Sequence, residues 1–215
     1  MPNAGRGKPS NLVLTGRRML EFAAACFFLL ITPGPGVLSV AGVGSGFGYR
    51  AGFSYLWGLC AGNFLVGMAV ATGLAAIILS IPFVRVALLV ASVSYLTWLA
   101  AKIAFSGSRV AFAAPSHAPG FRDGIALQAI NPKAYAVNTA LFTGFAFLPG
   151  NYPAEVLLKL VILNAFWIPI HFLWLGAGVK IKQMDLPART QRAINMLMAL
   201  AMLTVVGIAL LAEFG

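Results

Sequence analysis

The sequence predicts an all-α membrane protein with six transmembrane helices, built as two inverted three-helix repeats whose first and fourth helices are broken by proline. Three observations carry that reading. Of the 215 residues, 60% are hydrophobic and 9% charged, with a mean hydropathy of +0.89, far too apolar for a soluble domain of ordinary composition. The apolar residues fall into six runs, each near the roughly 20 residues that a spanning helix needs. Two of the runs are interrupted, one by Pro33-Gly34-Pro35 and one by Asn131-Pro132.

Residues 1–18 are polar, carry Arg6, Lys8, Arg17 and Arg18, and show no periodicity. They read as a basic tail that is disordered, or that is not translated if Met19 is the true start. A signal peptide is the wrong reading of the apolar run after this tail, because no charge occurs from Phe22 to Tyr49 and a signal h-region runs only about 7–15 residues. The first half, 19–105, holds spans at 19–44, 53–80 and 85–105. The third has the shortest charge-free run, Val86 to Ala101, and Lys102 snorkels from its end. Residues 106–122 contain Gly107, Pro115, His117, Pro119 and Gly120 and form the linker loop between the halves. The second half, 123–215, holds spans at 123–148, 155–178 and 193–213. An odd number of helices per half makes the repeat inverted in the membrane.

Fifteen basic residues against five acidic ones give a net charge of +10, which in a soluble protein would suggest nucleic acid. Here the basic residues fall between apolar runs, so they record orientation against a lipid bilayer and no nucleic-acid partner is expected. One side carries Arg50, Lys102, Arg109, Arg122, Lys180, Lys182, Arg189 and Arg192; the other carries Arg85 and Lys159, plus the four of the tail if it is translated. The richer side is assigned to the cytoplasm, which places both termini in the periplasm. Cys26 and Cys60 have no CxxC or Cys/His spacing, so they read as small buried hydrophobes and neither a disulfide framework nor a metal site is expected.

The breaks carry the functional reading. Proline removes an N–H and blocks the carbonyl one turn earlier, and irregular backbone at membrane depth persists only where protein or a polar cavity surrounds it. Paired interruptions in two halves point to a transporter's substrate site. Thr32, Pro33, Gly34, Pro35 and Gly36 shape one half-site, where the restarting helix offers unpaired N–H groups suited to a carboxylate. Asn131, Pro132 and Lys133 shape the other. Lys133 lies well inside an apolar segment, where charge is expensive; its ammonium either meets a substrate carboxylate or satisfies carbonyls freed by the break. Asn63 lies thirty residues after Pro33 and Asn164 thirty-two after Pro132, so each half has an amide in its second helix, serving either substrate or interhelical packing. No aspartate or glutamate lies near mid-membrane by this reading, which makes His171, beside Trp167 and Pro169, one of few candidate carriers if protons drive transport; packing is its other reading. Gly42-Val43-Gly44-Ser45-Gly46 and the Gly58/Gly62 pair permit close helix contact.

Thr32-Pro33-Gly34-Pro35, Gly48-Tyr49-Arg50-Ala51-Gly52 with Gly58 and Gly62, Tyr95-Leu96-Thr97-Trp98-Leu99, and Phe121-Arg122-Asp123-Gly124 leading to Asn131-Pro132-Lys133-Ala134 together resemble the lysine exporter (LysE/RhtB) family of amino-acid efflux proteins. The resemblance runs from Met19 to the C-terminus. It implies a six-helix secondary transporter of the bacterial inner membrane that exports an amino acid or derivative by alternating access, with no enzymatic activity and no bound cofactor, and with homo-oligomerisation left open. Many members carry Asp or Asn directly after the Pro-Gly-Pro, where this chain has Gly36, so a direct contact to the substrate's amino group is lost there. A membrane thiol-disulfide electron carrier is similar in helix count and would need cysteines beside the breaks, whereas Cys26 is two turns before Pro33. A metal-ion exporter would need clustered ligands, whereas His117 and His171 are isolated.

Overall fold

A computed structural model describes residues 11–105, 118–184 and 186–214. Among them every element is helical: α1 (Asn11–Ile31), α2 (Pro35–Phe47), α3 (Tyr49–Ala71), α4 (Leu74–Leu79), α5 (Pro82–Ala104), α6 (Phe121–Ile130), α7 (Pro132–Gly144), α8 (Tyr152–Gln183) and α9 (Ala188–Phe214). Three of these, α3, α5 and α8, are long and apolar enough to cross a membrane, and α1 with α2 makes a fourth if the bent pair is one span.

Both sequence breaks are breaks in the structure. Pro35 and Pro132 each open a new helix, where the missing N–H costs nothing and the fixed φ already suits the first turn. Gly34 is extended ahead of α2 (φ −162°, ψ −179°), and the chain turns by 49° between α1 and α2. Several boundaries differ from the sequence reading; the last span, expected from 193, already opens at Ala188. Residues 11–18, expected in the tail, are helical and begin α1, with an i,i+4 ion pair between Arg17 and Glu21 at 3.0 Å. The expected span 53–80 ends at Ala71, because Gly73 takes a left-handed φ of 77° and starts the short α4 anew. The expected span 155–178 runs longer, from Tyr152 to Gln183. Most of the linker, residues 106–117, lies outside the described residues.

Glycine sets how closely these helices approach. A methyl at Gly124 on α6 would collide with the Tyr55 carbonyl of α3 and sit 2.6 Å from the Leu59 nitrogen, and one at Gly62 would lie 2.6 Å from Gln128 Cβ. On the other side of the bundle, a methyl at Gly178 of α8 would collide with the Ala41 carbonyl of α2, and one at Gly44 would lie 3.0 Å from the Leu175 carbonyl. Lipid offers no hydrophobic drive for helix association, so the van der Waals contact that such close approach allows is one of the favourable terms, beside interhelical hydrogen bonds. Two apolar clusters result. One joins Val37, Val40 and Val43 of α2 to Leu56 and Leu59 of α3, Leu99 and Ile103 of α5, Trp167 of α8 and Met202 of α9. The other joins Phe22 and Cys26 of α1 to Leu141 and Phe142 of α7, Phe147, and Leu160 and Leu163 of α8. Leu30, close before the first break, and Phe166 of α8 pack against both clusters.

Candidate functional site

The two breaks line one cavity. Thr32, Gly34 and Gly36 border it from the first half, with Asn63 of α3; Asn131, Lys133, Asn138 and Gln128 border it from the second, with Trp167 and His171 of α8. Leu29, Leu30, Val37, Ala134 and Val137 complete the lining. Its volume is about 50 Å³, enough for a few water molecules and well below the roughly 300–1,000 Å³ of ligand pockets.

Lys133 ties the breaks together. Its Nζ donates to the Thr32 carbonyl at 2.5 Å and to the Pro33 carbonyl at 3.4 Å. These are carbonyls of the first break, so the charge from one half neutralises backbone freed in the other. The side chain runs along Gly34, where a methyl would lie 2.6 Å from Lys133 Cδ and 3.0 Å from Nζ; glycine is what admits it.

The two restarting helices differ in their caps. Asn131 precedes α7 and its Oδ1 accepts from the Lys133 backbone N–H at 3.1 Å, the usual N-cap bond. Gly34 precedes α2 with no side-chain cap. The N–H groups of Gly36 and Val37, which have no intrahelical partner by position, therefore carry the positive end of the α2 dipole uncapped.

A run of amides crosses the cavity wall. Asn131 Nδ2 donates to Gln128 Oε1 at 2.8 Å, Gln128 Nε2 to Asn63 Oδ1 at 3.5 Å, and Asn138 Nδ2 to Asn63 Oδ1 at 3.2 Å and to the Ala134 carbonyl at 2.8 Å. Two atoms of this run, Asn63 Nδ2 and Asn138 Oδ1, are buried without a hydrogen-bond partner. His171 is buried, stacks on Trp167 with ring centroids 3.4 Å apart, and bonds the Trp167 carbonyl through Nδ1 at 2.8 Å. As donor at Nδ1 it leaves Nε2 as an acceptor, on the side where a methyl at Gly36 would lie 3.3 Å away.

Of the residues singled out in the sequence, Thr32, Gly34, Gly36, Asn63, Asn131, Lys133 and His171 border the cavity, while Pro33, Pro35 and Pro132 shape its backbone without appearing in its wall. Asn164 is elsewhere: it is half-buried, accepts from Cys60 Sγ at 3.9 Å, and faces a shallow groove with Trp57 and Phe121. The amide partners of Asn63 are Gln128 and Asn138, which the sequence reading missed. Their signal was present, since both are amides inside an otherwise apolar segment and Gln128 is one helical turn before Asn131.

The sequence reading also missed a buried ion pair. Glu155, expected at a helix end, and Lys159, expected on a surface, are 5% and 1% exposed, and Lys159 Nζ sits 2.8 Å from Glu155 Oε1. Lys159 donates as well to the Phe142 carbonyl at 2.8 Å, while Glu155 Oε2 accepts from the N–H groups of Phe147 and Leu148 at 2.9 and 2.6 Å. The pair thus satisfies the end of α7 and the loop after it. Arg18 and Tyr152 brace the same end of the bundle through the Ala146 and Ala71 carbonyls. At the opposite end, Ser45, Gln191 and Asn195 share hydrogen bonds of 2.9–3.1 Å, and Lys182 Nζ donates to the Gly46 carbonyl at 3.2 Å.

No curated protein and no solved structure matches the chain. A family model does: its description is LysE type translocator, and it matches residues 27–213. With spanning helices and that match over most of its length, the chain is a multi-pass membrane protein and belongs to the LysE type translocator family of transporters.

Proposed function

We propose that this protein exports an amino acid or amino-acid derivative across the bacterial inner membrane by alternating access, with the cavity between the two helix breaks as its substrate site. The observation that carries this reading is the Lys133 bridge: its Nζ, from the second break, meets the Thr32 and Pro33 carbonyls of the first in a wall of amides from both halves. A substrate carboxylate entering there meets the Lys133 ammonium and the uncapped N–H groups of α2, both of which favour an anion.

The six-span, inverted-repeat arrangement belongs to this proposal, with α1–α2, α3 and α5 answering to α6–α7, α8 and α9. Reciprocal packing supports it: α2 lies on α8, α3 on α6, and α5 on α9. In this reading the bundle is closed at both ends, by the Glu155–Lys159 group at one and the Ser45–Asn195 group at the other, and alternately opening them widens the small cavity. The end formed by α2, α8 and α9 faces the cytoplasm, where Lys180, Lys182, Arg189 and Arg192 cluster in sequence. Burial removes Lys159 from the opposing count. The coupling ion is a proton taken up at His171, and homo-oligomerisation is compatible with this mechanism without being required by it.

Cells preloaded with labelled amino acids and derivatives test the proposal when wild-type, Lys133→Ala and vector-only strains are compared at equal membrane abundance. Faster loss of one or a few compounds in wild type alone is the expected result. Equal loss in all three strains across the panel refutes it.

A further inference from the structure

We infer that a substrate carboxylate and a proton occupy this site together, the proton on His171 Nε2, so that the substrate leaves with a proton and not in exchange for one; this rests on the exporter reading above and deepens it. Both partners meet at the first turn of α2. Gly34 provides no side-chain cap there, and the N–H groups of Gly36 and Val37, residues that border the cavity, are open to an anion. A nitrogen stands on either side of that turn: a methyl at Gly34 would lie 3.0 Å from Lys133 Nζ, and one at Gly36 would lie 3.3 Å from His171 Nε2. His171 is 4% exposed and borders the cavity. Its bond to the Trp167 carbonyl uses Nδ1, which leaves Nε2 without a hydrogen-bond partner among the described residues.

Electrostatics set the sign of the coupling between the two. In the empty site a proton on Nε2 faces the positive end of the α2 dipole and the Lys133 ammonium, in an interior where its charge has lost hydration. The surrounding elements offer no counter-charge among the described residues. α2 has no ionisable side chain; α7 brings Lys133 to the wall, while its Tyr135 is bonded to the Ala129 carbonyl. The ionisable groups of α1, from Arg17 to Cys26, and of α3, from Tyr49 to Cys60, lie off the wall. On α8 itself the nearest are Lys159, twelve residues before His171, and Lys180, nine after it, each more than two turns away. A carboxylate on the α2 N–H groups reverses the balance. Against neutral His171 its oxygens meet the lone pair of Nε2, acceptor against acceptor. A proton taken from the solvent that admits the substrate turns that contact into a charge-assisted N–H···O bond. An amino acid brings an ammonium as well; Leu29, whose carbonyl loses its helical donor at Pro33, borders the same cavity to receive it, and the carboxylate remains the group bound at the turn that His171 faces. Linkage is reciprocal, so a carboxylate that draws a proton to His171 is itself held more tightly in acid. Export then runs on accumulated substrate and carries protons out with it.

Liposomes holding purified protein, an entrapped pH-sensitive dye and a labelled mixture of the standard L-amino acids and their N-acetyl derivatives test this, with the membrane potential clamped and no pH gradient at the start. Wild type is expected to lose one or a few labels faster than protein-free liposomes while the lumen turns alkaline, by about one proton per molecule lost. His171→Gln keeps an N–H donor that does not titrate and is expected to cut the proton loss per label at least about tenfold. The half-saturating concentration of wild type, measured between about pH 6 and about pH 8, is expected to rise with pH by up to about tenfold per unit, and this second measurement needs no variant to insert. A lumen that acidifies or holds its pH while label leaves wild type overturns the inference and leaves the exporter reading standing, as does a half-saturating concentration that is flat or falls with pH. An inserted His171→Gln protein with wild-type proton loss per label overturns the role of His171. No label lost above protein-free liposomes overturns the inference together with the exporter reading.

Discussion

In Glu155→Gln the ammonium of Lys159 stays in the protein interior without its counter-charge. Lys159 is 1% exposed and its Nζ has two oxygen partners, Glu155 Oε1 and the Phe142 carbonyl, each at 2.8 Å; the rings of Phe142 and Phe147 lie 5.9 and 5.6 Å from it. The glutamine keeps one acceptor oxygen where the carboxylate had two, so either Lys159 or the Phe147 and Leu148 N–H groups lose theirs. Removing one partner of a buried pair costs about 3–5 kcal/mol. For a chain of this size each kcal/mol moves the melting midpoint by roughly 2–4 °C, so the expected drop is on the order of 6–20 °C. Adding Lys159→Met removes the stranded cation and leaves the Phe142 carbonyl unpaired, at about 1–3 kcal/mol, so the double variant should melt above Glu155→Gln alone. Thermal denaturation of detergent-solubilised protein, followed by size exclusion of the surviving fraction, measures both. A single variant within about 2 °C of wild type, or a double variant less stable than the single, refutes the account of this pair.

Lys133→Met is expected to reduce efflux at least about tenfold at equal membrane abundance, since it removes the charge that spans the two breaks; unchanged efflux in preloaded cells counts against the site. Gly124→Ala forces α6 off the Tyr55 carbonyl and Leu59 nitrogen of α3 and should cost about 1–3 kcal/mol or more by overpacking, whereas Gly176→Ala, with nothing within 4 Å of the added methyl, should gain up to about 1 kcal/mol of helix propensity. Melting the two variants side by side shows whether close backbone approach or glycine content sets stability. His171→Gln is expected to retain counterflow and lose accumulation driven by a pH gradient; retention of both removes His171 as the proton carrier.

The helix breaks were legible in the sequence because proline acts locally. Pro35 and Pro132 each suit the first turn of a helix and each opens one, whereas Pro169 is carried inside α8, so proline marks a candidate break and the extended Gly34 and Asn131 before it complete the break. Asn164 shows where that kind of reasoning ends. Counting thirty residues from Pro33 to Asn63 crosses a single connecting residue, Gly48, between α2 and α3, whereas counting from Pro132 to Asn164 crosses residues 145–151 between α7 and α8. Since each helical residue turns the chain by about 100°, similar counts through unequal loops do not return similar faces, and Asn164 meets Cys60 instead of the cavity. Lys159 was obscure for a related reason. Four residues after Glu155, it has the spacing of a solvated i,i+4 pair, and only the loop through Phe147 and Leu148, folded onto the carboxylate, places it in the interior.

The two breaks are alike in sequence and unequal in chemistry, which bears on how many ligands the site can hold. At the second break Asn131 caps its own helix through Oδ1, so the positive end of α7 is already engaged. At the first, Gly34 provides no such group, and its lack of a side chain is also what lets Lys133 cross to the Thr32 and Pro33 carbonyls. Replacing Gly34 with a capping residue would therefore close the α2 N-terminus and displace the lysine together. An inverted repeat with equivalent breaks would present two anion sites related by symmetry. Here the cap on one side and the glycine on the other gather the uncapped dipole and the ammonium at a single place, which under the proposed export function makes room for one substrate carboxylate at a time.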